Sequence, residues 1–118
     1  MRLQEIYEKY RNRANFFVVY IREAHPSEQG PRGGVDIPQA RTFGERTDAA
    51  TQCQADLDLS IPMLIDGIDN KIGNAYAGFP DRLYVVGTDG RIAYRGERGP
   101  WGFKPDALES AIVTATNS

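Results

Sequence analysis

The chain has 118 residues, 41% of them hydrophobic and 25% charged, with a formal net charge of -2 at pH 7. That length holds one hydrophobic core and not two, so residues 1–118 are expected to form a single domain. The near-balanced charge gives no electrostatic reason to expect nucleic acid or an anionic membrane as a partner. No apolar run approaches the roughly 20 residues of a bilayer-spanning helix, and the first residues lack the apolar stretch of a signal peptide. A single cysteine, Cys53, excludes an intramolecular disulfide framework. A cytoplasmic, reducing location is the expectation.

In chain order, Leu3, Ile6, Tyr7 and Tyr10 recur at helical spacing among Glu5, Glu8, Lys9 and Arg11. They predict an amphipathic helix that starts at or before residue 1, with no capping residue ahead of it. Such an opening reads as a domain cut short. Phe16 to Ile21 is a short apolar run rich in β-formers, as in a strand buried on both faces of a parallel sheet. From Pro26 to Pro38 the Gly, Pro and polar residues predict a surface loop.

Thr42-Phe43-Gly44-Glu45 matches a capping box, and Phe43, Arg46, Ala50, Cys53 and Leu57 then follow one helical face. Ile61 to Ile65 is a short extended piece with Pro62 at its edge. Asp69 is placed to cap a brief helix through Ile72, Tyr76 and Ala77 that ends at Gly78. Leu83–Val86 and Arg91–Tyr94 flank Gly87-Thr88-Asp89-Gly90, a strong hairpin signal. Pro105, acceptable in a first helical turn, leads into Leu108, Ala111, Ile112 and Ala115. The predicted order is α-β-loop-α-β-α-β-β-α.

Helix, buried strand, helical crossover, hairpin and closing helix make an α/β pattern of three layers, helix/sheet/helix. It is similar to a thioredoxin-like fold without its first strand. Tyr20-Ile21-Arg22-Glu23-Ala24-His25 resembles the Tyr-Ile-x-Glu-Ala-His signature of the iodothyronine deiodinases. So does the run from Ile61 through Asp69-Asn70, Ala75-Tyr76-Ala77 and Pro80-Asp81-Arg82-Leu83-Tyr84 to Gly99-Pro100-Trp101. The resemblance covers nearly the whole sequence. What it lacks is the family's opening strand and the loop that carries selenocysteine or cysteine.

In a minimal thioredoxin fold that strand lies mid-sheet, between the strands at Phe16 and Leu83. Its absence would leave inner backbone groups unpaired, at about 1–3 kcal/mol for each buried group left unsatisfied. A selenocysteine is encoded by a stop codon, so a reading frame taken from the next methionine would begin here. Such a chain is expected to be inactive by itself.

The resemblance implies an oxidoreductase that removes iodine reductively from iodothyronine-like aromatic substrates. It implies no bound cofactor, only the selenocysteine or cysteine itself and an external thiol reductant. Glu23 and His25 lie just past the end of a buried strand, where open α/β sheets place their sites, and two residues apart they point the same way. The family uses this Glu and His for substrate binding and proton delivery. A carboxylate beside an imidazole orients it as a donor; the plain alternative is a surface histidine before Pro26 with a solvated glutamate.

By the same resemblance, Pro80 takes the place of a cis-proline beside the nucleophile, and Arg98 joins His25 in holding a phenolic oxygen. An ordinary trans proline and a solvated loop arginine are the alternatives. Trp101 and Phe103 could line an aromatic pocket, although packing against the sheet is the expected role. Cys53 is expected to be a buried packing residue, with a resolving thiol as the other reading. Animal members of the family carry a second histidine in the crossover region; here His25 is the only histidine and Asp36 to Arg41 supplies none, which weakens the case for thyroid hormone in particular.

With one His and one Cys no metal site is expected, and Gly30 to Gly34 lacks the strand–turn–helix context of a phosphate loop. Two other functions stay open: a thiol peroxidase or general redoxin, and a non-catalytic binding or assembly module. The last would pair its exposed strands in a homodimer.

Overall fold

The computed structural model describes residues 2–23 and 39–117. Its elements are α1 (Arg2–Tyr10), β1 (Val18–Tyr20), α2 (Phe43–Asp56), β2 (Met63–Ile65), α3 (Lys71–Ala75), β3 (Tyr84–Val86), β4 (Ile92–Arg95) and α4 (Pro105–Thr116). Their kinds and order are those expected. The loop from Pro26 to Pro38 and His25 lie outside the described residues. The chain is a mixed α/β protein with two compact units, one of Met1–Phe16 with Pro80–Ser118, the other of Phe17–Phe79. The described strands form two separate two-stranded sheets, β1-β2 and β3-β4.

In the first unit, the apolar stripe of α1 meets that of α4, and α4 also lies on β3 and β4. Ile6, Tyr10, Leu108 and Ile112 are the buried centre, with Leu3, Phe16, Leu83, Val85, Tyr94 and Val113 packed around them. Full burial of each large aliphatic chain is worth about 1.5–3 kcal/mol, which fixes the helix pair on the hairpin. Across the helix pair, Glu109 accepts from Tyr10 Oη (2.8 Å), from Arg2 and from Lys9 Nζ (3.2 Å). The Tyr10 hydrogen bond, followed by those from Arg2 and Lys9, lowers the Glu109 carboxyl to about 2.

β3 and β4 are antiparallel, with Tyr84 opposite Arg95, Val85 opposite Tyr94, and an irregularity before the Val86–Ile92 pair. The turn closes as its residues demand: Gly90 has φ +80, and Asp89 Oδ1 accepts from Arg91 N at 2.9 Å. Pro105 opens α4, where its missing N–H costs no helical hydrogen bond.

In the second unit β1 and β2 are parallel, with Val18 opposite Met63, Val19 opposite Leu64 and Tyr20 opposite Ile65. The strand is shorter than the apolar run that predicts it, and it is half-buried, with Phe17 exposed. Full burial on both faces needs a wider, doubly covered sheet, and among the described strands β1 has only β2 beside it.

The capping box is formed: Thr42 Oγ1 accepts from Glu45 N at 3.1 Å, and Glu45 Oε1 accepts from Arg41 N at 2.7 Å. The buried face of α2 agrees with the one expected at Arg46 and Ala50 and departs from it at the two ends of the helix. Arg46, Ala49 and Ala50 are inside, while Phe43 and Leu57 are exposed and Cys53 is half-buried. Phe43 and Leu57 stand at the two ends of the helix, and its middle is what lies on β2. Small residues there allow close approach.

At α3 the expected cap is only part of the arrangement. Asn70, in the left-handed region at φ 61, is the N-cap and makes no side-chain cap bond, while Asp69 Oδ1 accepts from Lys71 N at 3.2 Å. The next two donors go to Asp66, which is fully buried: Ile72 N to Oδ1 at 2.9 Å and Gly73 N to Oδ2 at 2.8 Å. The end of β2 thus leads straight into the carboxylate that anchors α3.

Candidate functional site

β1 delivers the chain to Glu23 through Ile21 and Arg22, and Arg22 lies over the Phe79 ring, 3.9 Å from its centroid. Three donors reach the Glu23 carboxylate. Tyr20 Oη donates to Oε1 at 3.3 Å, Gln39 Nε2 donates to Oε2 at 2.9 Å, and the Ala40 N–H reaches Oε2 at 3.5 Å. Glu23 is half-buried, so both oxygens have fixed partners in a partly dry setting. Burial, followed by the charge of Glu23, pushes the Tyr20 phenol up; the neighbouring Cys53 adds to this and Arg46 acts the other way. Tyr20 is therefore a phenol and a donor throughout the physiological range.

Arg46 is 1% exposed. Its Nη1 donates to Gly67 O at 2.6 Å, while its Nε is buried without a hydrogen-bond partner. The buried guanidinium, the buried Asp66 carboxylate and the part-buried phenol–carboxylate pair are polar groups inside this unit. Cys53 does not have the surroundings of an activated thiol. Burial and then the charge of Asp56 push it up, so less thiolate is present at neutral pH than for a free cysteine.

Pro80 and Arg98 belong to the first unit. The expectation of a cis-proline at Pro80 is overturned: the cis peptide bond among the described residues is Gly99–Pro100, and the Phe79–Pro80 bond is not cis. Trans is the lower-energy isomer of an ordinary X–Pro bond by about 0.5–1 kcal/mol, and Pro80 follows that preference. Arg98 is exposed, as the substrate role and the plain alternative both require. The Trp101 expectation is overturned as well: it does not seal α4 on the sheet but is 90% exposed, while Phe103 is half-buried. It lies in the segment before α4 starts at Pro105, outside the packed stripe of that helix.

Of the residues singled out from sequence, Glu23 and Cys53 share the second unit, both beside Tyr20, and His25 lies outside the described residues. Sequence reasoning misses Tyr20 as a donor, Gln39 as a carboxylate ligand, and Asp66 as a buried polar anchor. Tyr20 sits inside the quoted signature, but its apolar neighbours make it look like strand filler. Gln39 carries no local signal, because its partner is Glu23 across the loop.

A family model described as "Iodothyronine deiodinase" matches residues 1–114. The chain is 30% identical over 109 residues to "Type I iodothyronine deiodinase" of Xenopus laevis, covering 92% of this chain and 42% of the relative. It is 36% identical over 108 residues to "Type II iodothyronine deiodinase" of Petromyzon marinus, covering 89% of this chain and 37% of the relative. With "Thyroxine 5-deiodinase" of Sparus aurata it shares 36% identity over 116 residues, covering 97% of this chain and 43% of the relative. The chain therefore spans less than half the length of these curated relatives.

Proposed function

Because the chain belongs to the iodothyronine deiodinase family, we propose that it supplies the proton-delivering and substrate-holding part of a deiodinase-like oxidoreductase. The observation that carries this is the Glu23 carboxylate, held at the end of β1 by Tyr20, Gln39 and Ala40 inside the family's Tyr-Ile-x-Glu-Ala-His segment. The attacking group is a selenolate or thiolate from outside this sequence, on a further strand of a thioredoxin-like sheet. Cys53 is a packing residue, since burial holds its thiol in the less nucleophilic form.

The reaction balances with two thiols as reductant. The chalcogenide takes iodine as I⁺ from the aryl carbon, forming a chalcogen–iodine bond, and the ring carbon takes up one proton. Two external thiols then return the chalcogenide and leave as a disulfide, releasing iodide and two protons. Glu23, through His25, is the route for the ring proton, and a hydrogen-bonded carboxylate suits that task. For Arg98, in the other unit, the family resemblance is the ground for a role at the substrate's phenolic oxygen, an anion that a guanidinium suits.

The test is to assay the protein extended to include the upstream strand and its selenocysteine or cysteine, with a dithiol, on an iodinated phenol and on hydrogen peroxide. Iodide release from the phenol is expected. Activity on peroxide alone would replace this reading with that of a thiol peroxidase.

A further inference from the structure

The segment between β4 and α4 is built to hold its shape. Gly99 N donates to Asp81 O at 2.9 Å, Gly102 N to Arg98 O at 3.0 Å, and Phe103 N to Pro100 O at 3.3 Å. Two glycines are required by close approach. A Cβ at Gly99 would run into the Asp81 carboxylate, and one at Gly102 would meet the backbone carbonyl of Glu97. Upstream, Arg82 Nε donates to Gly96 O at 2.7 Å, so the segment is tied at two points to the stretch that precedes β3.

A turn held this firmly would be expected to tuck a large aromatic side chain against its own support. Trp101 is instead 90% exposed, the most exposed of the large hydrophobic residues described, and it is the chain's single tryptophan. Arg98, at the other end of the same hydrogen-bonded turn, is also exposed, and among the described residues no carboxylate forms an ion pair with it. One hydrogen-bonded turn thus carries, three residues apart, an exposed indole and an exposed guanidinium that has no ion pair among the described residues, two complementary surfaces. One is a flat, polarisable face for a ring; the other is a cation for an anionic oxygen. An iodinated phenolate carries both counterparts in one small molecule.

We infer that Trp101 is an aromatic platform on which the iodinated ring of the substrate stacks while Arg98 holds its phenolate oxygen. This rests on the deiodinase reading above and adds a specificity-determining residue to it. The rigid turn holds the platform ready, so little ordering is needed when the ring arrives. Because Trp101 is almost wholly exposed, its removal leaves packing intact.

The experiment uses the 118-residue chain, with 2,6-diiodophenol as probe and phenol as control. Iodine quenches indole emission through the heavy-atom effect, and a single tryptophan makes that signal specific to one place. Saturable quenching by diiodophenol is expected, absent with phenol and beyond the collisional quenching of free N-acetyltryptophanamide. In equilibrium dialysis, Trp101→Ala should bind about tenfold more weakly and Trp101→Phe should recover most of the loss, with thermal melts unchanged. If diiodophenol is retained in dialysis but leaves Trp101 emission unaltered and binds Trp101→Ala equally well, the platform is wrong and the family reading survives. If neither this chain nor the upstream-extended protein retains diiodophenol, both fall.

Discussion

Asp66→Ala should destabilise the second unit by about 3 kcal/mol, the cost of leaving buried backbone donors without a partner. The Asp66 carboxylate is 0% exposed and accepts from Ile72 N at 2.9 Å and Gly73 N at 2.8 Å. Alanine removes both acceptors and cannot replace them. Each backbone donor left buried and unpaired costs about 1–3 kcal/mol, and Gly73 is buried whereas Ile72 has access to water. A small cavity adds to the total. Asp66→Asn keeps the shape and one acceptor oxygen but turns an amide donor toward the second N–H, so it should recover only part of the loss. Urea unfolding is the measurement: the midpoint should fall with an unchanged slope, since the same surface is exposed on unfolding. A shift under about 0.5 kcal/mol for Asp66→Ala would mean that α3 is held by something other than this carboxylate.

In a protein that carries the nucleophile, Glu23→Gln should lower kcat about 100-fold or more while KM changes little. Positioned acid–base groups contribute about 10²- to 10⁴-fold, and an amide of the same size cannot relay a proton. The substitution also tests the three-donor geometry. The new amide's oxygen can still accept from Tyr20, but its nitrogen would face Gln39 Nε2 and the Ala40 N–H, which are both donors. Tyr20→Phe should have a milder effect in the same direction, because it removes one donor and leaves the carboxylate in place. Initial rates of iodide release at saturating substrate would separate these outcomes. A fall of less than about threefold in Glu23→Gln, far below the range for a positioned acid or base, would remove this carboxylate from proton delivery.

What can be read from the sequence is local. Gly87-Thr88-Asp89-Gly90 dictates a hairpin because its residues suit a tight turn and little else. Thr42 and Glu45 declare a helix start because both partners of the cap lie within one turn. Glu23 stands out because a charged residue follows an apolar strand. The failures are long-range. Periodicity puts Phe43 and Leu57 on the inner face of α2, but which stretch of a helix meets a sheet depends on β2, which the helix pattern does not contain.

Asp66 looks like the polar end of an apolar strand, since the donors it serves come later in the chain. Gln39 and Arg46 likewise depend on partners distant in sequence, Glu23 for the first and the Gly67 carbonyl for the second. Trp101 is expected to pack because a large aromatic side chain usually gains by burial. Its exposure goes with a turn that is held by local hydrogen bonds and tied back to Asp81 ahead of β3, a link its own segment does not announce.

The most direct test of the central claim is iodide release by the 118-residue chain alone, with an iodinated phenol and excess dithiol, beside the same chain extended upstream through its selenocysteine or cysteine. Turnover is expected only in the extended protein. Deiodination by the short chain, abolished by Cys53→Ser, would contradict this by making the half-buried thiol the attacking group.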